Sequence, residues 1–412
     1  MLSFGKEFNL EITPLHQEIM QNARSKVKEE MDSGSVGYYK LPKDSLNILE
    51  TLKSIDFSWV KQIVVMGVGG SSLGIKAIDS ILRPITPHAK EILFFENSDP
   101  ITISSTMDKI NKDGVCFFLI SKSGSTIEAT SIFKTLVKKF DLKLDNAKNI
   151  FAITDKDSIL SKFATAHNIT QFYVPDNVGG RFSVLSAVGI VPLEVAGYDM
   201  SRVLKGADGF LESFFAAKEE HLLRKACFIY ENSQKLKMNV VFSYSDCLEN
   251  ITKWYIQLWG ESLGKIDAKG QSVGITPISL IGAIDQHSFL QLVIEGPKDK
   301  TITFINIEDF GVDLSIPDIT LQHIEKTDFI NGQSFTTLIN EQCKATMQSV
   351  IESGIEADSI ALDKISSENV GAIIIYYELL TSLVGAMLNV NTYDQPGVEL
   401  GKTILYKNLG NK

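Results

Sequence analysis

The chain has 412 residues, 44% of them hydrophobic and 22% charged, the balance of a soluble globular protein long enough to bury two separate cores. Its formal net charge of -10 argues against nucleic acid as the main partner, so an anionic substrate has to be held by locally placed cations and backbone N–H groups. The four cysteines, Cys116, Cys227, Cys247 and Cys343, are scattered without C-x-x-C or zinc-ligand spacing, which points away from a metal site and from a disulfide framework.

Residues 1–55 read as an acid-rich helical lead-in with a loop at Gly34 to Gly37. The lead-in has no basic start followed by an apolar run, so the chain reads as cytoplasmic rather than exported. A regular alternation then begins. Gln62–Met66, Glu91–Glu96, Val115–Ile120, Asn149–Thr154 and Thr170–Val174 are short β-branched and aromatic runs. Amphipathic helix patterns separate them, for example Ile127, Ile132, Leu136, Val137 and Phe140. This spacing predicts an α/β domain over 56–200, a doubly wound αβα sandwich with a mainly parallel sheet and right-handed crossovers.

Three loops in this domain follow predicted strands and should share the carboxyl edge of the sheet, where such folds bind ligands. The first is Gly67-Val68-Gly69-Gly70-Ser71-Ser72-Leu73-Gly74. It fails as a dinucleotide fingerprint, because Ser72 stands where the third glycine belongs and the nearest strand-end acid, Glu96, lies too far along. It is not a P-loop either, since the Gly-Lys-Ser/Thr ending is missing. The second is Ser121-Lys122-Ser123-Gly124-Ser125-Thr126. Ser125 and Glu128 have capping-box spacing, so a helix starts here, and its N-terminus offers orphan N–H donors among hydroxyls and a lysine. That combination suits a phosphate cradle, the alternative being a well-capped surface helix. The third loop runs from Asp176 through Gly179-Gly180-Arg181 to Ser183. Arg181 is one of only five arginines (with Arg24, Arg83, Arg202 and Arg224) and the only one in a glycine-rich loop. There the backbone can approach a ligand and a permanently charged planar donor is available.

The second half, 201–412, repeats the α/β theme more loosely. Helical segments around 200–235 link the halves. Met238–Ser243, Thr301–Ile307 and Ser359–Asp363 read as strands, and 246–260, 335–352 and 368–390 as helices. The first of these helices carries Leu248, Ile251, Tyr255, Leu258 and Trp259 on one face and runs into Gly260-Glu261-Ser262-Leu263-Gly264, where Glu261 is a candidate proton acceptor. Asp285-Gln286-His287-Ser288 presents one of six histidines in a polar loop. Val370 to Val390 is apolar enough to test as a membrane span, but Tyr376, Tyr377, Glu378, Thr381 and Ser382 interrupt it and predict a buried helix instead. The chain closes with Tyr393-Asp394-Gln395-Pro396-Gly397-Val398-Glu399-Leu400-Gly401-Lys402, a tight turn followed by a last helix.

Taken in order, these blocks resemble the phosphoglucose isomerase family over nearly the whole chain. Asp176 to Ser183 is similar to the family's first signature and Tyr393 to Lys402 to its second. Trp259-Gly260-Glu261-Ser262-Leu263-Gly264-Lys265 and Gln286-His287-Ser288 resemble its catalytic blocks. The resemblance implies two sugar-isomerase (SIS) domains that interconvert glucose 6-phosphate and fructose 6-phosphate through a cis-enediol, without a metal or other cofactor. It implies that Ser121, Lys122, Ser123 and Thr126 hold the phosphate, with Gly70 and Ser71 lining the site. Glu261 would move a proton between C2 and C1, and Arg181 with the Gly180 backbone would stabilise the enediolate. His287 and Lys402 would open the sugar ring, and Gln257 and Gln395 would contact substrate. It further implies a homodimer in which the histidine comes from the neighbouring subunit, and no nucleic-acid or membrane partner. The alternatives are an enzyme that also accepts mannose 6-phosphate, and a non-catalytic sugar-phosphate-binding SIS protein. The second has no use for Glu261, His287, Arg181 and Lys402 together.

Overall fold

The computed structural model describes residues 2–410. Twelve strands occur in chain order: β1 (Leu2–Ser3), β2 (Gln62–Met66), β3 (Glu91–Phe95), β4 (Val115–Ile120), β5 (Ile150–Asp155), β6 (Thr170–Val174), β7 (Met238–Ser243), β8 (Lys265–Ile266), β9 (Ser272–Val273), β10 (Thr276–Ile281), β11 (Lys300–Asp309) and β12 (Glu356–Lys364). The first sheet has the order β3-β2-β4-β5-β6 and is parallel throughout. The second has the order β1-β12-β11-β7-β10 and is parallel except for β1. β8 and β9 form a separate antiparallel ribbon.

The parallel strands of both sheets start at an inner strand, step outward once, and then wind the other way. Strand order therefore reverses between β2 and β4 in one sheet and between β7 and β11 in the other, the places where an open parallel sheet leaves a crevice at its carboxyl edge.

Period-2 patterning explains how each strand can be buried on both faces. In β4, Val115, Phe117 and Leu119 pack with Ile132, Phe133, Leu136 and Leu160 of the helices Ile127–Phe140 and Ile159–Ala166. Cys116, Phe118 and Ile120 face the other way, into a core shared with the second sheet. β7 divides likewise: Val240 and Phe242 pack with Val293, Cys343 and Val350, whereas Val241 faces the shared core. The layers therefore run helix, sheet, helix, sheet, helix, and the middle helical layer joins the two halves. At about 1.5–3 kcal/mol for each large apolar side chain fully removed from water, this middle layer is the main source of cohesion between them.

Helix Ser367–Leu388 lies in that middle layer. It is long and apolar enough to cross a membrane, yet it is buried along most of its length against other helices of the chain, as the polar interruptions predict. Its backbone touches helix Met200–Phe215 so closely that a side chain on Gly371 would collide with the Val203 carbonyl, and one on Gly206 with that of Glu368.

Two elements differ from expectation. β10 has no counterpart among the strands read from the sequence, and it carries Pro277, which lacks the N–H a central strand needs. It is tolerated because β10 is an edge strand, paired only with β7. The lead-in begins with β1, whose Leu2 and Ser3 pair with Leu362 and Ala361 far along the chain.

Candidate active site

The hydroxyl-rich loop that the sequence offers as a phosphate cradle grows from the end of β4. Gly124 adopts a positive φ (73°) and reverses the chain, and helix Ile127–Phe140 follows. The predicted Ser125–Glu128 capping box does not form. Thr126 is the N-cap and makes no side-chain cap bond. The turn sends the hydroxyls to each other instead: Ser123 Oγ lies 2.8 Å from Ser125 Oγ, and Ser121 Oγ lies 2.8 Å from Thr126 Oγ1 while accepting from Gly124 N at 3.1 Å. The first-turn N–H groups therefore keep no side-chain cap, and Lys122 borders them. Its Nζ donates to Asp176 O (3.0 Å) and sits 3.8 Å from Asp155 Oδ2.

Asp155 is pushed up to about 6, chiefly by burial and further by Asp176, with Lys122 opposing. Because this lies above its ordinary value of 3.8, the folded chain holds the proton more tightly than the unfolded chain does. The carboxyl costs nothing at low pH, and a penalty grows as pH rises from about 4 to about 6 and then stays constant. Thermal melts of the wild type should therefore fall relative to those of Asp155→Asn across this window and run parallel above it. A Tm difference that does not change with pH would rule the effect out.

The first and third loops meet on the same rim. A side chain on Gly70 would collide with the Gly180 carbonyl, so the contact between these backbones requires glycine. Ser71 closes the short turn Gly69–Ser71 and is half-buried. Glu96 pairs with Lys76, which explains why this strand-end acid is not available to a nucleotide ribose.

Arg181 follows in the turn Gly180–Phe182 and is 2% exposed. Its Nε donates to Ser262 Oγ (2.7 Å), and its Nη2 to the carbonyls of Thr392 (2.5 Å) and Asp394 (3.0 Å). Nη1 donates to Gln395 Oε1 (2.9 Å) and reaches Glu261 Oε2 at 3.4 Å. Burial lowers the guanidinium pKa, and the charges of Glu261 and Asp394 oppose that shift. Glu261 lies in the last turn of helix Glu249–Leu263, which begins and ends three residues later than the sequence reading of 246–260. The aromatic face of that helix buries Tyr255 and Trp259 and turns Gln257 and Glu261 toward the loops, and Gln257 Nε2 donates to Glu261 Oε1 at 3.2 Å.

One chain thus brings together Gly70, Gly180, Arg181, Gln257, Glu261 and Gln395, with Ser121, Lys122, Ser123 and Thr126 on the same sheet edge. It does not bring in His287 or Lys402. His287 is exposed at the end of the turn Ile284–His287, after β10. Lys402 is exposed and pairs with Glu399 (2.8 Å) on helix Glu399–Gly410, none of whose residues is buried. Among the described residues, no hydrogen bond or ion pair links either of them to Arg181 or Glu261.

Several residues that hold the site have no signal of their own in the sequence. Ser262, Lys265 and Asp394 lie within recognisable blocks but look like filler there. Lys265 is in fact bonded to the Asp394 carbonyl and lies 2.7 Å from its carboxylate.

A family model described as Phosphoglucose isomerase matches residues 49–411. A glucose-6-phosphate isomerase of Campylobacter jejuni is 44% identical over 94% of this chain and 95% of its own length. One from Methanocaldococcus jannaschii is 34% identical over 99% of both. Among solved structures, hypothetical protein TT0462 from Thermus thermophilus superposes with a TM-score of 0.89 at 30% identity, covering 96% of each chain. A glucose-6-phosphate isomerase from Chlamydia trachomatis shares the fold with a TM-score of 0.77 at 22% identity, covering 95% of this chain and 78% of that one.

Proposed function

This chain belongs to the phosphoglucose isomerase family, and on that premise we propose that the pairing of Arg181 with Glu261 marks where its chemistry takes place. The reaction is the interconversion of D-glucose 6-phosphate and D-fructose 6-phosphate, a step of glycolysis and gluconeogenesis, through a cis-enediol intermediate.

The single observation that carries the assignment of roles is the 3.4 Å approach of a buried guanidinium to a helix-end carboxylate beside a hydroxyl-rich helix N-terminus. Moving a proton between C2 and C1 of an open-chain sugar creates an oxyanion, and a fixed cation beside the base stabilises that charge. Glu261 takes the proton from one carbon and returns it to the other. Arg181 and the Gly180 backbone face the enediolate oxygens, and Gln257 and Gln395 orient the carboxylate and the guanidinium. The 6-phosphate sits on Ser121, Lys122, Ser123 and Thr126, with Gly70 and Ser71 beside it. Binding so far from the reacting carbons positions C1 and C2 against the base. The phosphate is held in the unit spanning 56–200, and the acid–base groups come from 201–412.

The ring-opening groups complete the site from elsewhere. His287 is exposed and, among the described residues, makes no bond to Glu261 or Arg181 of its own chain, which supports a homodimer in which each subunit lends this histidine to the other. Lys402 acts with it from the exposed last helix. Free cysteines, three of the four buried, suit a reducing cytoplasm.

A coupled assay of glucose 6-phosphate formation from fructose 6-phosphate tests this reading as a whole. It is run on the wild type and on a co-refolded mixture of Glu261→Gln with His287→Ala, each of which is nearly inactive alone. Mixing should restore roughly a quarter of wild-type activity, the share of sites expected intact when subunits exchange at random. Confirmed mixed dimers without recovered activity would place each site within one chain, and an inactive wild type would defeat the reading altogether.

A further inference from the structure

The strap at residues 392–395 supplies most of the acceptors that hold Arg181, so whatever fixes the strap fixes the guanidinium. Tyr393 is its anchor. Its hydroxyl donates to Glu30 Oε2 at 2.6 Å, lies 3.1 Å from Ser382 Oγ and 3.2 Å from the Tyr39 hydroxyl. Tyr39 donates to the same Glu30 oxygen (3.0 Å), and Tyr38 sits 2.9 Å from Ser382 Oγ. The Tyr393 ring also packs on Phe182, the residue after Arg181, with centroids 5.4 Å apart. Burial, with Tyr39 and Glu30 beside it, pushes the Tyr393 phenol well above its ordinary value, so it acts as a donor.

We propose that the Glu30–Tyr393 pair positions Arg181: a carboxylate on the N-terminal helix Pro14–Ser33 pins the strap whose Thr392 and Asp394 carbonyls and Gln395 amide set the guanidinium against Glu261. These are positioning residues, because neither touches the reacting carbons. The geometry is consistent throughout. One end of the strap is locked by Thr392, buried against Gly385, and its other end by Lys265 on Asp394. Tyr393 sits between them, and loss of its hydroxyl releases the middle, where the carbonyls must aim at Nη2. A shift of less than about 1 Å there matters because Nη1 must meet developing charge, whereas the phosphate cradle in the other unit is untouched. The inference rests on the isomerase reading above.

The pair predicts a specific kinetic signature. In Tyr393→Phe, kcat should fall about 10- to 30-fold while KM for fructose 6-phosphate stays within about twofold. Affinity for a phosphorylated hydroxamate, which mimics the enediolate, should fall by the same factor as kcat, and affinity for a phosphorylated polyol should not change. Glu30→Ala should reproduce this loss and Glu30→Gln, which keeps an acceptor for the phenol, should rescue most of it. The double variant Glu30→Ala with Tyr393→Phe should be no worse than either single one. Unchanged kcat in folded Tyr393→Phe, equal weakening of both analogues, or additive losses would each overturn the proposal. If Tyr393→Phe does not fold, the contrast between Glu30→Ala and Glu30→Gln decides it alone. An active wild type with an unaffected Tyr393→Phe would defeat this inference only, whereas an inactive wild type would defeat the isomerase reading on which it rests.

Discussion

Glu261→Gln should bind fructose 6-phosphate as tightly as the wild type while kcat falls about 10³- to 10⁴-fold, the loss expected when a positioned general base is removed. The substitution is close to isosteric, and its surroundings can absorb it. One carboxylate oxygen receives Gln257 Nε2, and the other faces Arg181. A glutamine at 261 must turn its oxygen to the guanidinium and its NH2 toward Gln257. Gln257 can answer by flipping its own amide, because its Oε1 is buried without a hydrogen-bond partner. The fold and the phosphate cradle are therefore preserved, and what disappears is the group able to accept a proton. Calorimetry with fructose 6-phosphate and exchange of the C1 or C2 proton with deuterated solvent separate the two. A variant that still exchanges that proton at the wild-type rate would remove Glu261 from the role of base.

The parts of this site that could be read from the sequence are those set by local chemistry. β2, β4, β6 and β7 fall at the residues their β-branched and aromatic runs suggest; β2 and β4 are buried on both faces and so are apolar almost throughout, whereas the edge strand β6 leaves Thr170 and Tyr173 exposed. The three loops sit on one rim because parallel strands place successive loops at one edge, a rule of topology that needs no partner residue. What escaped was set by distance or by competition. Ser125 has the spacing of a cap but spends its hydroxyl on Ser123, and Pro277 disguises an edge strand. Glu30 looks like any other acid on an exposed helix face, and only the folded chain brings it to Tyr393, 363 residues away. The Arg181 acceptors at 392 and 394 are backbone carbonyls, which every residue has, so no residue type could have announced them. His287 and Lys402 are visible as motifs, yet among the described residues the chain leaves both exposed and bonds neither to Arg181 nor to Glu261.

Arg181→Lys should lower kcat roughly 10²- to 10³-fold, the cost of losing a fixed donor at a developing oxyanion, even though the positive charge is kept. The guanidinium serves acceptors on two elements at once: Ser262 and Glu261 on helix Glu249–Leu263, and the Thr392 and Asp394 carbonyls and the Gln395 amide on the strap. An ammonium has three donors, and the shorter reach of lysine from the turn Gly180–Phe182 cannot span both directions. If it turns to the strap, Glu261 loses its cation; if it turns to Glu261, the buried carbonyls lose their donors, at about 1–3 kcal/mol for each group left unsatisfied. The variant should therefore be damaged twice, with a lower Tm and with weaker binding of the phosphorylated hydroxamate, while a phosphorylated polyol that engages only the phosphate cradle binds as before. This separation distinguishes a guanidinium that faces the enediolate from one that merely ties the strap to the helix. If Arg181→Lys loses stability but keeps kcat within about threefold where it is folded, the enediolate is stabilised elsewhere and Arg181 is structural. A cation 2% exposed has given up its water and needs a counter-charge in either role, so the Glu261 contact is common to both outcomes and the separation of kcat from Tm is what tells them apart.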